Sequence, residues 1–218
     1  MMKKSFWYIF MLCLLLVGMV ASGQEAEDDP IFTLQNDDPI VARGNSQPDS
    51  NLAWDRRYTD PGAVTYHDGQ FHMIRNGFNG WPASVQMGYL VSDDGITWEQ
   101  PQEAPILYTD DVPYAEVAAL AGDLHVQEDG TWVLYFYTWN TLNPRSAGST
   151  IGRATADDPL GPWTIAEEPL LTFDESLNET AVFAPSVIEI EDGFAMYYAA
   201  YDDRNALSIR RATSTDGL

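Results

Sequence analysis

The chain has 218 residues, and 33 Asp and Glu face only 11 Lys and Arg, giving a formal net charge of −22. So acidic a surface repels phosphate backbones and excludes nucleic-acid binding as a function class. It reads as a device for solubility rather than as bait for a cationic partner.

The first 23 residues read as a secretory signal peptide. Lys3 and Lys4 form the charged start, Phe6 to Val20 the apolar run, and Ala21-Ser22-Gly23 a small-residue cleavage site before Gln24. The run is short for an uncleaved anchor. Cys13 lies inside it rather than after a lipidation box, which disfavours a lipoprotein. The expectation is a secreted or periplasmic protein with no membrane attachment after cleavage. Both lysines and the one cysteine lie in this segment, so the remainder has nine arginines, no lysine and no disulfide.

Residues 24–50 are rich in Asp, Glu, Pro, Asn, Gln and Ser, and read as a linker with a lead-in strand around Pro39 to Ala42. From there the chain repeats itself. Pro61 to Gly69 is echoed by Pro185 to Gly193, each with a Pro seven residues before an Asp-Gly, and Leu124 to Gly130 is a third copy. The Asp-Gly pairs begin at Asp68, Asp129 and Asp192, a period of about 60 residues that marks an array of supersecondary units.

In the first unit Gly62 to Tyr66 is expected as an inner strand, and Asp68-Gly69 as a hairpin turn because the pair favours positive φ. Phe71 to Arg75 and Val85 to Ser92 follow as strands. Ser92-Asp93-Asp94-Gly95-Ile96-Thr97-Trp98 then turns into a short outer strand. The second unit has Leu124 to Gln127, Trp132 to Trp139 and Ile151 to Ala156, then Asp157 to Trp163 in place of that turn. The third has Ser186 to Ile190, Phe194 to Tyr201 and Leu207 to Thr213, and reaches Thr215-Asp216-Gly217-Leu218. By analogy a Trp should follow, so the third copy is expected to be cut and further units to be missing. Blades are placed at about 54–107, 114–171 and 179–218, within a partial propeller spanning 51–218.

Four antiparallel strands per unit, repeated radially, make an all-β fold, a β-propeller. A β-sandwich is the alternative, but it does not explain why the same turn recurs at the same phase of each repeat.

Four segments carry a resemblance to a known superfamily. They are Tyr58 to Val64 followed by Asp68-Gly69; Gly88 to Trp98; Ile151 to Ala156; and Phe183 to Val187 with Phe194 to Tyr198. They resemble the five-bladed propellers of glycoside hydrolase families 43, 32, 68 and 130, and the order from Asp38-Pro39-Ile40 to Pro105-Ile106-Leu107 is similar to the family 130 layout. The resemblance implies a five-bladed propeller, about three blades of it in this chain, acting as a monomer on O-glycosidic bonds of arabinan-, xylan- or fructan-like polysaccharides or mannosides. It implies no required cofactor and allows a structural calcium in the propeller channel. A non-catalytic sugar-binding propeller and a family 130 type phosphorylase are the alternatives.

Such enzymes aim carboxylates from their innermost strands into a central funnel, one to protonate the leaving oxygen and one to attack or to activate water. By the resemblance Asp60, before Pro61, matches the base or nucleophile. Asp123 matches the aspartate that tunes the acid, although counting back from Asp-Gly aligns Ala121 with Asp60. The general acid would stand two residues before a blade-opening Pro, where this chain has Phe183. Glu179 and Glu116 are loop carboxylates that could reach the funnel, and Glu179 is taken as the third catalytic candidate. Their ordinary alternative is a solvated loop.

Trp81 and Trp139, beside Arg75, Asn76 and Asn140, combine aromatic walls with polar donors and are the expected sugar-binding groups. Their alternative is packing between blades, which is also the expected role of Trp98 and Trp163. His67, His72 and His125 lack zinc-ligand spacing, and no metal site is expected. Asn178-Glu179-Thr180 forms a glycosylation sequon of a kind common by chance.

Overall fold

The computed structural model describes residues 37–48, 50, 52–80, 84–141 and 148–218. The signal peptide and Trp81 lie outside the described residues. The unit from Asp38 to Leu218 consists of three antiparallel sheets.

The first sheet has the order β1-β2-β3-β4, with β1 Tyr58–His67, β2 Gln70–Phe78, β3 Gln86–Ser92 and β4 Leu107–Tyr108. The second has the order β5-β6-β7-β8, with β5 Ala118–Val126, β6 Trp132–Trp139, β7 Ile151–Ala156 and β8 Thr164–Ile165. The third has the order β11-β10-β9, with β9 Glu179–Ile190, β10 Gly193–Asp202 and β11 Leu207–Ser214. Each is a blade of a β-propeller. Among the described residues no helix is long and apolar enough to cross a membrane.

Strand periodicity explains the packing. Successive side chains point to opposite faces, so β6 divides its residues between two neighbours. Trp132, Leu134 and Phe136 join a cluster with Ile74, Met87 and Tyr89 of the first blade. Val133 and Tyr135 join Val182, Val187 and Met196 of the third. A central blade therefore reads as an almost unbroken apolar run. Each large side chain so buried contributes about 1.5–3 kcal/mol.

The turns follow their chemistry. Asp68 (φ 48) and Gly69 (φ 85) form the two-residue hairpin between β1 and β2. After β3, Ser92 Oγ accepts from the Gly95 amide at 2.9 Å, and Asp94 Oδ1 accepts from Ile96 at 2.8 Å and Thr97 at 2.7 Å. After β11 the pattern recurs: Ser214 Oγ accepts from Gly217 at 3.1 Å and Asp216 Oδ1 from Leu218 at 3.1 Å. Trp98 and Trp163 close their turns by donating to the carbonyls of Gly95 and Pro159.

These turns set an acid limit. The Thr97 and Ile96 amides pull the Asp94 carboxyl down to about 2. Hydrogen bonds likewise lower Asp129, Asp174, Asp202 and Asp216. A lowered folded-state value means stability that is present above the unfolded value of 3.8 and lost as pH falls through the folded one. The denaturation midpoint is therefore expected to drop between about pH 4 and pH 2, and Asp94→Asn to shrink that drop. An unchanged acid profile in the variant would count against the turn as its source.

Two expectations are corrected. Pro39 to Ala42 forms bends rather than a strand. The fourth strand of the first blade is Leu107–Tyr108, while the segment after Trp98 makes only an isolated bridge between Val91 and Glu99. The inner strands also start earlier than Gly62, Leu124 and Ser186, because each runs on through its Pro or Gly by way of a bulge.

Candidate functional site

The bulges build the site. On β1, Asp60 pairs with Asn76 and Ala63 with Ile74, leaving Pro61 and Gly62 opposite Arg75. On β9, Phe183 pairs with Ala199 and Ser186 with Tyr197, leaving Ala184 and Pro185 opposite Tyr198. On β5 one extra residue, Gly122, lies between Ala121 and Asp123. Extra residues of this kind bend a strand and re-aim side chains.

Gly62 has φ +52, and a Cβ there would lie 2.3 Å from the Ile74 carbonyl oxygen, so only glycine fits. Gly122 meets the Pro185 ring at the joint to the third blade, where a Cβ would come within 2.8 Å of the ring.

Asp60 sits at the first residue of its bulge. Oδ1 accepts from Asn76 Nδ2 at 2.7 Å and from the Gly62 amide at 3.0 Å, and Oδ2 accepts from the Tyr58 hydroxyl. Asn76 Oδ1 in turn accepts from the Ala121 amide at 2.8 Å. That bond fixes the amide orientation, because only the Asn76 nitrogen then remains to face the carboxylate. Asp60 is one of the residues lining a depression of ≈ 300 Å³, which Thr59, Met73 and Arg75 also line.

Aromatic rings from the other blades complete the surroundings. Burial, and then the Asp60 charge, push the Tyr137 hydroxyl up to about 12. The Tyr137 ring lies 6.3 Å from Phe183, which stacks on Tyr201 at 5.2 Å. Tyr58, Tyr137, Phe183 and Tyr201 were not among the expected site residues. The signal was present in β6, where Tyr137 and Trp139 alternate onto one face.

The other expected residues separate. Asn76 is buried and positions Asp60. Arg75, next to it, points to the opposite face and is 1% exposed. Its Nη1 donates to Asp55 at 2.5 Å and to Thr59 at 3.2 Å, its Nη2 to Gln100 at 3.1 Å, and its guanidinium lies 4.6 Å from the centre of the Trp54 ring. These contacts anchor residues 54–59 to the blade, and Arg75 also lines the depression that Asp60 borders.

Asp123 lies beyond its bulge, not at the Asp60 level. It accepts from the amides of Val187, on the next blade, and Leu124, and lies 3.4 Å from His125 Nε2. The hydrogen bond and charge of Asp123 hold the His125 imidazole above its ordinary value despite burial. This carboxylate joins the second blade to the third.

Glu179 is 4% exposed, accepts from the Asp174 amide at 2.9 Å and pairs with Arg210 at 3.2 Å. It is the first residue of β9 rather than part of a loop, and it ties that strand to β11. Glu116 is exposed. Asn140 is spent on the backbone, donating to Gly148 at 2.6 Å and accepting from Glu116 at 3.2 Å. Trp139 is half-buried at the end of β6 and lines an apolar cleft with Tyr58.

Register also revises the alignment of the copies. Asn76, Thr138 and Ala199 stand equally far along the second strand of each blade, and their partners are Asp60, Ala119 and Phe183. Counting back from Asp-Gly had matched Asp60 with Ala121 and Ala184, because Asp68, Asp129 and Asp192 stand at different distances beyond the last paired residues of their inner strands, His67, Val126 and Ile190. Among the described residues no group of three or more His, Cys, Asp or Glu is placed to hold a metal ion.

No family model and no curated protein matches the sequence. Solved structures do. The chain has the propeller fold of the glycoside hydrolases. It is similar to Zg3597, a family 117 glycoside hydrolase of the marine bacterium Zobellia galactanivorans, with TM-score 0.58 and 17% identity over 71% of this chain and 51% of that one. It is similar to an endo-arabinase from Bacteroides thetaiotaomicron, with TM-score 0.56 and 17% identity over 78% and 61%. It is also similar to a sucrose-6-phosphate hydrolase from Lactobacillus gasseri, with TM-score 0.57 and 16% identity over 72% and 33%. The chain spans about half the length of the first solved structures it resembles.

Proposed function

We propose that the protein is an exported carbohydrate-active enzyme that hydrolyses O-glycosidic bonds, with Asp60 as general base or nucleophile. The observation that carries this reading is the setting of Asp60. Its carboxylate is held by three donors at the bulge of an innermost strand, and the residue borders a depression of ≈ 300 Å³. A group surrounded by donors serves as an acceptor, so it takes a proton from water or attacks the anomeric carbon; it does not deliver the proton to the leaving oxygen. The fold adds support, since glycoside hydrolases of several families are built on it. The substrates proposed are arabinan-, xylan- or fructan-like polysaccharides or mannosides.

One observation favours a second reading, a propeller that binds sugar without cleaving it. Asp60 is the one carboxylate among the described residues that line the depression, Phe183 holds its register position in the third blade, and Glu179 is engaged with Arg210. The two readings part on a panel of arabino-, xylo-, fructo- and manno-oligosaccharides, followed by calorimetry and by product analysis with and without inorganic phosphate. Hydrolysis is the expected result. Binding without turnover would establish the second reading, and phosphate-dependent turnover would replace hydrolysis by phosphorolysis.

A further inference from the structure

We propose that a carbon-lined cleft beside Asp60 takes an aryl group carried by the glycoside, and so selects aryl-substituted substrates; this rests on the reading of Asp60 as the reacting carboxylate. The cleft lies between the first and second blades, holds ≈ 240 Å³, and is lined by Tyr58, Phe78, Val85, Val117, Ala118, Leu120 and Trp139. Tyr58 belongs to both places: its ring forms the wall and its hydroxyl donates to Asp60 Oδ2. The cleft thus begins one tyrosine ring away from the carboxylate.

Its lining decides what fits. The walls are aliphatic and aromatic carbon, mainly from the starts of β1 and β5 and the ends of β2 and β6. Sugar hydroxyls placed there would leave water without new partners, at a cost of about 1–3 kcal/mol each. Carbohydrate sites avoid this by adding polar groups to their aromatic walls, and these walls have almost none to offer. The size is sufficient: a dry apolar cavity of about 150 Å³ accommodates benzene, so this cleft has room for one substituted ring. Three of its seven lining residues are aromatic, which suits edge or offset contact with such a ring.

The sugar itself would then lie on the Asp60 side, where polar groups are found, and its aryl substituent or aryl leaving group would cross Tyr58 into the cleft. Tyr58 acts as the divider between the two. Trp139, expected from the sequence to stack on a sugar face, instead packs against the substituent.

The test compares phenol with the matched pair of phenyl and methyl α-L-arabinofuranoside, by calorimetry on the full chain. Phenol is expected to bind, and the phenyl glycoside to bind at least about ten-fold more tightly than the methyl one. Ala118→Leu fills the cleft from β5 without touching Asp60 and should abolish both effects. Val117→Phe, placed at the half-buried rim, repeats the test should leucine at 118 disturb the strand. Equal affinity for the two glycosides with no binding of phenol would overturn the proposal, as would a phenyl preference that survives both variants. Phenyl-selective binding without turnover supports the cleft while counting against hydrolysis. Binding of phenol with neither glycoside bound supports the cleft while counting against the sugar reading.

Discussion

Replacing Asp60 by asparagine is expected to lower glycoside turnover by on the order of 10³-fold or more, with the thermal midpoint nearly unchanged. The rate loss follows from chemistry. A positioned base contributes about 10²–10⁴-fold, and an amide neither accepts a proton from water nor attacks an anomeric carbon. The intact fold follows from geometry. The asparagine oxygen can take the place of Oδ1 and keep the bonds from Asn76 and Gly62. Its NH₂ can face the Tyr58 oxygen, which is able to accept as well as donate. Steady-state kinetics beside a melting curve checks both halves. Activity retained within about ten-fold would remove Asp60 from the chemistry, and a collapsed fold would make it a structural residue.

The second large effect concerns stability. Asp55→Ala is expected to cost about 3–5 kcal/mol, read as a lower urea midpoint at unchanged slope. Asp55 is 0% exposed and Arg75 1%. Burial pushes the Asp55 carboxyl up, but the Ser46 hydroxyl at 2.5 Å and Arg75 at 2.5 Å outweigh it and hold it below the usual range. Removing the anion leaves a guanidinium enclosed between Trp54, Thr59 and Gln100 with its main partner gone. The penalty is therefore that of an orphaned charge rather than of one lost hydrogen bond. Asp55→Leu combined with Arg75→Met should recover most of it, since a well-packed apolar pair can match a buried ion pair. A single-variant cost below about 1 kcal/mol would show that the pair does not anchor this segment.

The architecture was legible because its punctuation repeats. Asp68-Gly69, Asp129-Gly130 and Asp192-Gly193 each join an inner strand to its neighbour. The Ser-x-Asp-Gly turns at Ser92 and Ser214 make the same bonds in both places. Trp132–Trp139 and Ile151–Ala156 appear with their expected bounds, since period-two patterning within an apolar run needs no distant partner to be read. The inner strands were read short because Pro61 and Gly62 look like an interruption, whereas the bulge absorbs them and pairing resumes before them.

The site was legible only where local sequence determines it. Asp60 stands out through the Asp-Pro-Gly bulge. Arg75 and Asn76, adjacent and both polar, cannot be told apart in sequence. Strand alternation sends one into a buried ion pair and the other to Asp60, and which is which depends on the blades on either side. Asp123 and Glu179 resemble free loop carboxylates until the Val187 amide and Arg210 arrive from elsewhere in the chain. Tyr137, Phe183 and Tyr201 gather only when separate blades are docked.

The Asn76 amide has one further implication. Its oxygen is claimed by the main chain of the second blade, and its nitrogen by the carboxylate of the first. Both blades call for the same orientation of that amide. The poise of Asp60 is accordingly a property of a seam rather than of a strand, since the amide that holds it is fixed from both sides once the two blades have been assembled in register.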